Sequence, residues 1–427
     1  MKKLFIVIVL LIAAAIVAPK FIGGIVEAEY KSALDKIAEN PAITVNNFTF
    51  NQGWFGGEAT TDMTVLLHDD EVGDIKIIVE DNLSFGPAIF TDSGVKLALS
   101  YSQANINFNE LLLDDEIADF IKDKIHFTCL LTFSKDIVST IVIDEVSKEV
   151  DGNKVASSKA VGEFVLENET RIYGDFNWAG LTATTSDESF TIGEVKFSLD
   201  QTLIAGDYYQ GNAISTGDFD FVIASIKAND SAGNSVLSLD NLLINAMSSV
   251  TNDLMQIKMN YSAEKLVSAG QQLEKANLAV ELNGLNINVM QDVNILMTEL
   301  SADGEEIFSP ENMKKLSALT AKLLADDPVI EITDFSVETP EGKIESTMQV
   351  SVDENLFDTA NIMSIMAAVK ANANGKAPMP FFTKLGLAPM VDMYVQQGFI
   401  IQEEDELSFK VNFAQGQLNV NGNVIPL

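Results

Sequence analysis

From about residue 42 to 285 the chain alternates apolar and polar side chains with period two, and this limits its fold more than any other feature. Val195, Phe197 and Leu199 form one such set; Phe219, Phe221 and Ile223 form another; Leu278, Val280 and Leu282 form a third. Successive side chains of a strand point to opposite faces, so each set lines one face and the intervening Thr, Ser, Asn and Asp line a wet one. Turns are expected where Gly, Asn and Asp interrupt the runs, as at Asp151-Gly152-Asn153 and Ala232-Gly233-Asn234. The pattern predicts an α+β, β-dominated fold, a long antiparallel curved sheet or meander with several helices. No short repeat is regular enough for a propeller or solenoid.

Helical spacing breaks in at a few places. Leu111 to Lys124 predicts a helix through Ile117, Phe120 and Ile121, and residues 261–275 a second through Tyr261, Leu266 and Leu273. Asn283-Gly284 reads two ways. A two-residue hairpin would pair Leu282 with Leu285, whereas Met290, Val293, Met297 and Leu300 make a helical stripe; strand to 284 followed by helix is favoured. Ser309 and Pro310 suit the N-cap and first position of a helix carrying Leu316, Leu319 and Leu323. A hairpin follows, Val329–Val337 and Ile344–Val352, turning at Thr339-Pro340-Glu341-Gly342. Two more helices are expected over 355–371 and 380–397, then final strands Glu406–Phe413 and Gln417–Val424. Residues 42–300 thus read as a β-rich region, and 301–427 as a mixed α/β region packed on the same body.

The N-terminus sets the compartment. Met1-Lys2-Lys3 precedes an apolar run from Leu4 to Ala18, then Pro19-Lys20. A cut after Ile16-Val17-Ala18 would leave Pro19 first, where signal peptidase works poorly. Residues 1–26 are therefore expected to form an uncleaved signal-anchor, a transmembrane segment flanked by Lys2, Lys3 and Lys20. The positive-inside rule then gives a single-pass protein of the bacterial inner membrane with its body in the periplasm. A cleaved, secreted protein is the alternative. Val26, Tyr30, Ala33, Leu34 and Ile37 continue as an amphipathic connecting helix over 27–41, stopped by Asn40-Pro41.

Lys and Arg number 27 against 62 Asp and Glu, a formal charge of −35. Such a body repels nucleic acid and anionic head groups as general partners. Arg171 is the sole arginine, so bidentate clamps for phosphate are excluded at every other position. Cys129 is the sole cysteine, which excludes an intramolecular disulfide and a CxxC redox site, and its strand-like neighbours make it a core residue.

No phosphate loop, dinucleotide fingerprint, zinc-protease helix or nucleophile elbow occurs, so no catalytic, cofactor-binding or metal-binding residue is assigned. His126 and Cys129, three apart on a strand, point to opposite faces and cannot form a dyad. His68 beside Asp69-Asp70-Glu71 reads as a solvated turn rather than a metal loop. The acidic clusters Asp114-Asp115-Glu116, Asp326-Asp327 and Glu403-Glu404-Asp405-Glu406 lack a calcium-loop pattern. The most unusual local motif is Gly53-Trp54-Phe55-Gly56-Gly57, between strands over 43–50 and 58–67. It reads as a tight aromatic-capped hairpin or, alternatively, as an aromatic platform for a ligand.

Phe50-Asn51-Gln52-Gly53-Trp54-Phe55 and the ending Gly416-Gln417-Leu418-Asn419-Val420-Asn421-Gly422, with the signal-anchor start, resemble the YdgA family of gammaproteobacterial envelope proteins. Pro328–Gly342 and Val391–Ile400 are compatible with it. Gln52 stands where that family has a basic residue, and Gly56-Gly57 replace Ser-type residues. The resemblance implies inner-membrane and periplasmic association and a homodimer, and supplies no catalytic residues. The expected function is a non-catalytic, membrane-anchored periplasmic protein that binds an envelope protein partner or an apolar, lipid-like ligand. A periplasmic hydrolase using carboxylates or a metal is one alternative; an assembly factor for surface structures or motility is another.

Overall fold

A computed structural model describes residues 2–67, 73–92, 94–108, 124–150, 152–268, 270–303, 309–353, 355–357 and 364–425, with side chains from Ile16 onward except at 150 and 301–303. One helix, α1 (Lys2–Ile37), precedes the sheet and carries Pro19 inside it. The first strands are β1 (Ile43–Gln52), β2 (Gly56–Val65) and β3 (Ile75–Phe85). A separate two-stranded hairpin follows, β4 (Ala88–Thr91) with β5 (Gly94–Leu97), and then β6 (Ser100–Phe108), β7 (Ile125–Leu131) and β8 (Ile137–Ile143). Next come β9 (Val146–Val150), β10 (Asn153–Ser157), β11 (Ala160–Glu167), β12 (Arg171–Trp178), β13 (Leu181–Thr184), β14 (Ser189–Ile192) and β15 (Val195–Ala205). Four long strands occupy the middle: β16 (Ile214–Asn229), β17 (Ser235–Thr251), β18 (Leu254–Ser268) and β19 (Gln271–Asn286). Helices α2 (Ile287–Asp303) and α3 (Pro310–Leu323) intervene before β20 (Val329–Thr339) and β21 (Gly342–Val352). The rest comprises α4 (Ile365–Ala368), β22 (Val369–Pro378), α5 (Met379–Lys384), α6 (Ala388–Gln396), β23 (Ile401–Glu403), β24 (Glu406–Ala414), β25 (Gln417–Val420) and β26 (Asn423–Ile425).

Apart from the β4–β5 hairpin, these strands form one 24-stranded sheet. It is β-dominated and antiparallel, as the period-two pattern requires, and mostly a meander in which each strand pairs with its sequence neighbour. The sheet forks at β16, which pairs with β15 along one half and with β14 along the other, and β14 leads on to β13, β10 and β9. It forks again at β24, whose edge away from β22 pairs with both β23 and β25. Residues 42–300 and 301–427 share this sheet, because β19 pairs directly with β20.

Three helix expectations are corrected. Residues 261–275 are strand: Leu266 sits opposite Leu273 across the β18–β19 hairpin, and Gly270, at φ +77°, lies in the turn between them. The two leucines that spacing would stack on a helix are cross-strand partners. Over 355–371, only 365–368 is helical among the described residues; from Val369 the chain enters β22, held between β21 and β24. The segment 380–397 is two helices, interrupted at Gly386 with φ +74°. The helix expected over Leu111–Lys124 lies almost wholly outside the described residues, as do His68 and Asp114-Asp115-Glu116. In contrast, Ser309 caps α3 by accepting from the Asn312 N–H at 3.3 Å, with Pro310 at the first position.

The largest buried cluster is Ile22, Val26, Ala59, Leu83, Phe85 and Leu99, with Ala18, Tyr30, Phe48, Phe50 and Leu131 against it. It joins α1 to β1, β2, β3 and β6. Ile22 and Val26, expected inside the anchor, are therefore docked on the sheet. Among the described residues no helix is long and apolar enough to cross a membrane. Lys2, Lys3 and the apolar side chains through Ala15 lie outside the described side chains.

Candidate functional site

Register aligns the apolar sets of separate strands into rows. Phe176 faces Phe197, which faces Phe221; Phe221 faces Ile244, Ile244 faces Tyr261, Tyr261 faces Leu278, and Leu278 faces Phe335. A second row, two residues along, runs from Leu199 through Phe219, Ala246, Met259 and Val280 to Ile332. It continues through Met348 and Ala373 to Val411. Residues two apart on a strand share a face, so both rows lie side by side. The stacked rings of Phe164, Phe176 and Phe197 extend the face across β11, β12 and β15, with centroids 5.5 and 5.4 Å apart. The opposite face is largely polar: Asp175, Ser198, Asp220, Asn245 and Asn260 succeed one another in register, with Val222 and Leu243 paired beside them. Lys258 and Glu281 pair there at 3.2 Å, and Asn412 donates to Asn372 at 2.6 Å.

At its N-terminal end this apolar face is covered. Leu83 faces Ser102, Ser102 faces Cys129, Cys129 faces Ser139 and Ser139 faces Phe164, which places the α1 cluster on the same side as the two rows. From Phe197 to Val411 the row residues are half-buried or exposed. The surface of the whole chain, 24632 Å², exceeds the roughly 16,000 Å² of a compact monomer of this mass by about half.

The Gly53–Gly57 motif forms the rim where α1 leaves the sheet. Gly53 N–H donates to Gly56 O at 2.8 Å and closes the β1–β2 turn, which carries Trp54 and Phe55 exposed at its tip. The Trp54 indole N–H donates to Ile16 O at 2.7 Å, and Gln52 Nε2 to Lys20 O at 2.6 Å. Lys20 Nζ reaches back to Gly53 O at 3.4 Å. Pro19 disturbs the helix at this turn, having no N–H to donate, and Trp54 supplies a donor to a neighbouring carbonyl. The glycines permit close approach. A Cβ on Gly56 would stand 2.3 Å from Leu83 O, one on Gly57 2.8 Å from Asn51 O, and one on Gly23 2.3 Å from Gln52 Nε2.

Beside the turn lies the β4–β5 hairpin, joined through Phe85 N–H donating to Phe55 O at 2.7 Å. Ile89 is buried and Lys96 Nζ sits 5.6 Å from the Tyr101 ring centre, so these two face inward. Ala88 pairs with Leu97 and Phe90 with Val95 on the outward face, which is entirely apolar. A cleft of about 440 Å³ separates turn from hairpin, bounded by Gly53, Gly56 and Gly57 on one side and Phe90 and Asp92 on the other. Its lining includes Glu58 and Asp92 and no lysine or arginine, a poor seat for an anion.

Other sequence candidates are accounted for singly. His126 Nε2 lies 2.9 Å from Asp144 Oδ2, both exposed, and this bond holds the Asp144 carboxyl below its ordinary range. Cys129 is on the other face, its thiol pushed up to about 11 by burial and then by the Asp81 charge. Arg171 spends its fork on Asp200, at 2.8 and 2.7 Å across β12 and β15. Among the described residues no cluster of His, Cys, Asp or Glu could hold a metal ion. The outward hairpin face was readable in principle from Ala88/Phe90 and Val95/Leu97 around a polar Asp92-Ser93-Gly94 turn. The rows were not, because register is not written in any single strand.

No curated protein and no solved structure matches the chain. A family model described as "Bacterial protein of unknown function (DUF945)" matches residues 1–427, and the chain belongs to that family.

Proposed function

We propose that this is a non-catalytic, membrane-tethered envelope protein, of the kind the YdgA resemblance implies, that holds a lipid-like apolar chain along its uncovered sheet face. The tether is the apolar run from Leu4 to Ala18 of α1, with the body on the periplasmic side of the bacterial inner membrane. The observation that carries the reading is the pair of in-register apolar rows, half-buried on one face and backed by a largely polar one. Apolar area left in water costs about 25 cal/mol per Å², so a face of this extent gains by taking a guest. An acyl chain suits it because the rows offer methyls and rings without a polar side chain from Phe197 to Phe335 other than the Tyr261 hydroxyl.

Mass spectrometry of the detergent-extracted full chain tests this. Phospholipid is expected to co-purify with the natural sequence and to be lost from Phe221→Asp/Val280→Asp, with strand content by circular dichroism unchanged. Repeated absence of lipid from the natural protein would overturn the binding reading. The tether is tested separately: membrane-bound protein should retain its intact N-terminus, and a mature end near residue 19 would defeat it.

A further inference from the structure

We infer that the rim around the exit of α1 is a seat for the bilayer: the Trp54-Phe55 turn and the outward face of the β4–β5 hairpin enter the interfacial layer of the membrane. The inference rests on the tether reading and adds a second, independent contact between body and lipid.

Depth is set by a hydrogen bond. Trp54 donates to Ile16 O, and Ile16 lies two residues inside the end of the Leu4–Ala18 run. If that run spans lipid, the indole is held at the level of its last turn, where Trp is favoured, with an apolar body and a polar N–H. The run is also short. Fifteen residues of helix rise about 22 Å, against about 30 Å of hydrocarbon, so a membrane thinned or filled by other apolar groups at this end suits it.

The surroundings match. Phe90 is 83% exposed, Leu97 71%, Phe55 60% and, on α1 itself, Phe21 72%. Exposed single apolar residues are ordinary, but here a hairpin turns its polar Lys96 inward and its whole apolar face outward. That inversion is unfavourable in water and favourable in lipid. The occupant is lipid rather than a soluble partner because Trp54 is bonded to Ile16 on the helix that carries the apolar run, and the exposed Phe21 lies on that same helix. Lys20 brings positive charge to this end of a body whose formal charge is −35. Its stem is long enough to place the ammonium group among phosphates.

The test uses the full chain in phosphatidylethanolamine–phosphatidylglycerol vesicles, with nitroxide labels placed singly in a Cys129→Ser background. Labels at Phe90→Cys and Leu97→Cys are expected to show a severalfold higher ratio of oxygen to nickel-chelate accessibility than a control at Asn372→Cys. A label at Leu10→Cys reports the tether. Aqueous readings at 90 and 97 with a bilayer reading at 10 would overturn the rim inference and leave the tether standing. An aqueous reading at 10 would overturn both. Dipolar broadening at 90 between copies would assign the patch to a second copy of the chain instead. As a check free of added label, lipids brominated near the carbonyls should quench Trp54 fluorescence in a Trp178→Phe variant. Quenching by aqueous iodide alone would count against the seat.

Discussion

A buried carboxylate is costly unless donors meet it, and Asp81 beneath α1 is met by one. Tyr30 Oη donates to Asp81 Oδ2 at 2.6 Å, and Thr61 Oγ1 donates to Tyr30 Oη at 3.4 Å. Tyr30→Phe should destabilise the protein by about 1–3 kcal/mol, and Thr61→Val by less, read from urea midpoints. Equal losses from both would mean that Asp81 draws its support from elsewhere. Burial, then the Asp81 charge, raises the Tyr30 phenol well above its ordinary 10.0. The unfolded chain therefore ionises first, so this contribution is complete below about pH 10 and lost as pH rises beyond it. Alkaline loss of stability should be shallower in Tyr30→Phe. Cys129, pushed up to about 11, is about one part in a thousand thiolate at pH 8. Iodoacetamide should leave it unmodified in the folded protein and label it readily in denaturant; rapid labelling when folded would show that β7 opens. The sequence neighbours of Cys129 made its place on a strand legible, where it is half-buried. Asp81 was not legible, because its partner lies 51 positions away on a helix.

At the scale of elements, α1 and the β1–β2 turn form one unit, closed by contacts too tight for a side chain. Gly23 lies against Gln52 and Phe85, while its neighbour Gly24 has open space around its Cβ position. Gly24→Ala should therefore stabilise by up to about 1 kcal/mol through helix propensity. Gly23→Ala should destabilise and free α1 for proteolysis. Thermal melts and limited digestion separate the two, and similar behaviour of both variants would refute the docking geometry. Here local pattern succeeded where neighbours in sequence are also neighbours in space, as in the β1–β2 turn, the β20–β21 hairpin and the Ser309 cap. It failed over 261–275, where the same leucines fit two periods and pairing decided the outcome. It failed again over Val369–Pro378, where weak β formers such as Ala, Asn and Gly are held as strand by β21 and β24 on either side.

On the scale of the whole molecule, stability should be uneven. The α1 cluster gives β1, β2, β3 and β6 a buried layer, whereas the row residues of β16–β18 are largely half-buried, with Tyr261 exposed. Amide exchange should be slowest under α1 and faster in β16–β18, and bound phospholipid should slow the latter selectively. Uniform protection would argue that the apolar face is already filled by protein. The antiparallel sheet was legible from residues 42–285 because period two repeats within every strand. Its single apolar face was not, since that depends on how one strand meets the next. The rows carry a kinetic consequence. Strands succeed one another about every 4.8 Å, and along a row each step exchanges one hydrocarbon neighbour for another. The acyl chain proposed to lie there would break no polar bond on advancing by a strand, so its residence at any one step would be brief. Its motion would be one-dimensional diffusion along a track, past the Tyr261 hydroxyl, between the helix-covered end and Val411.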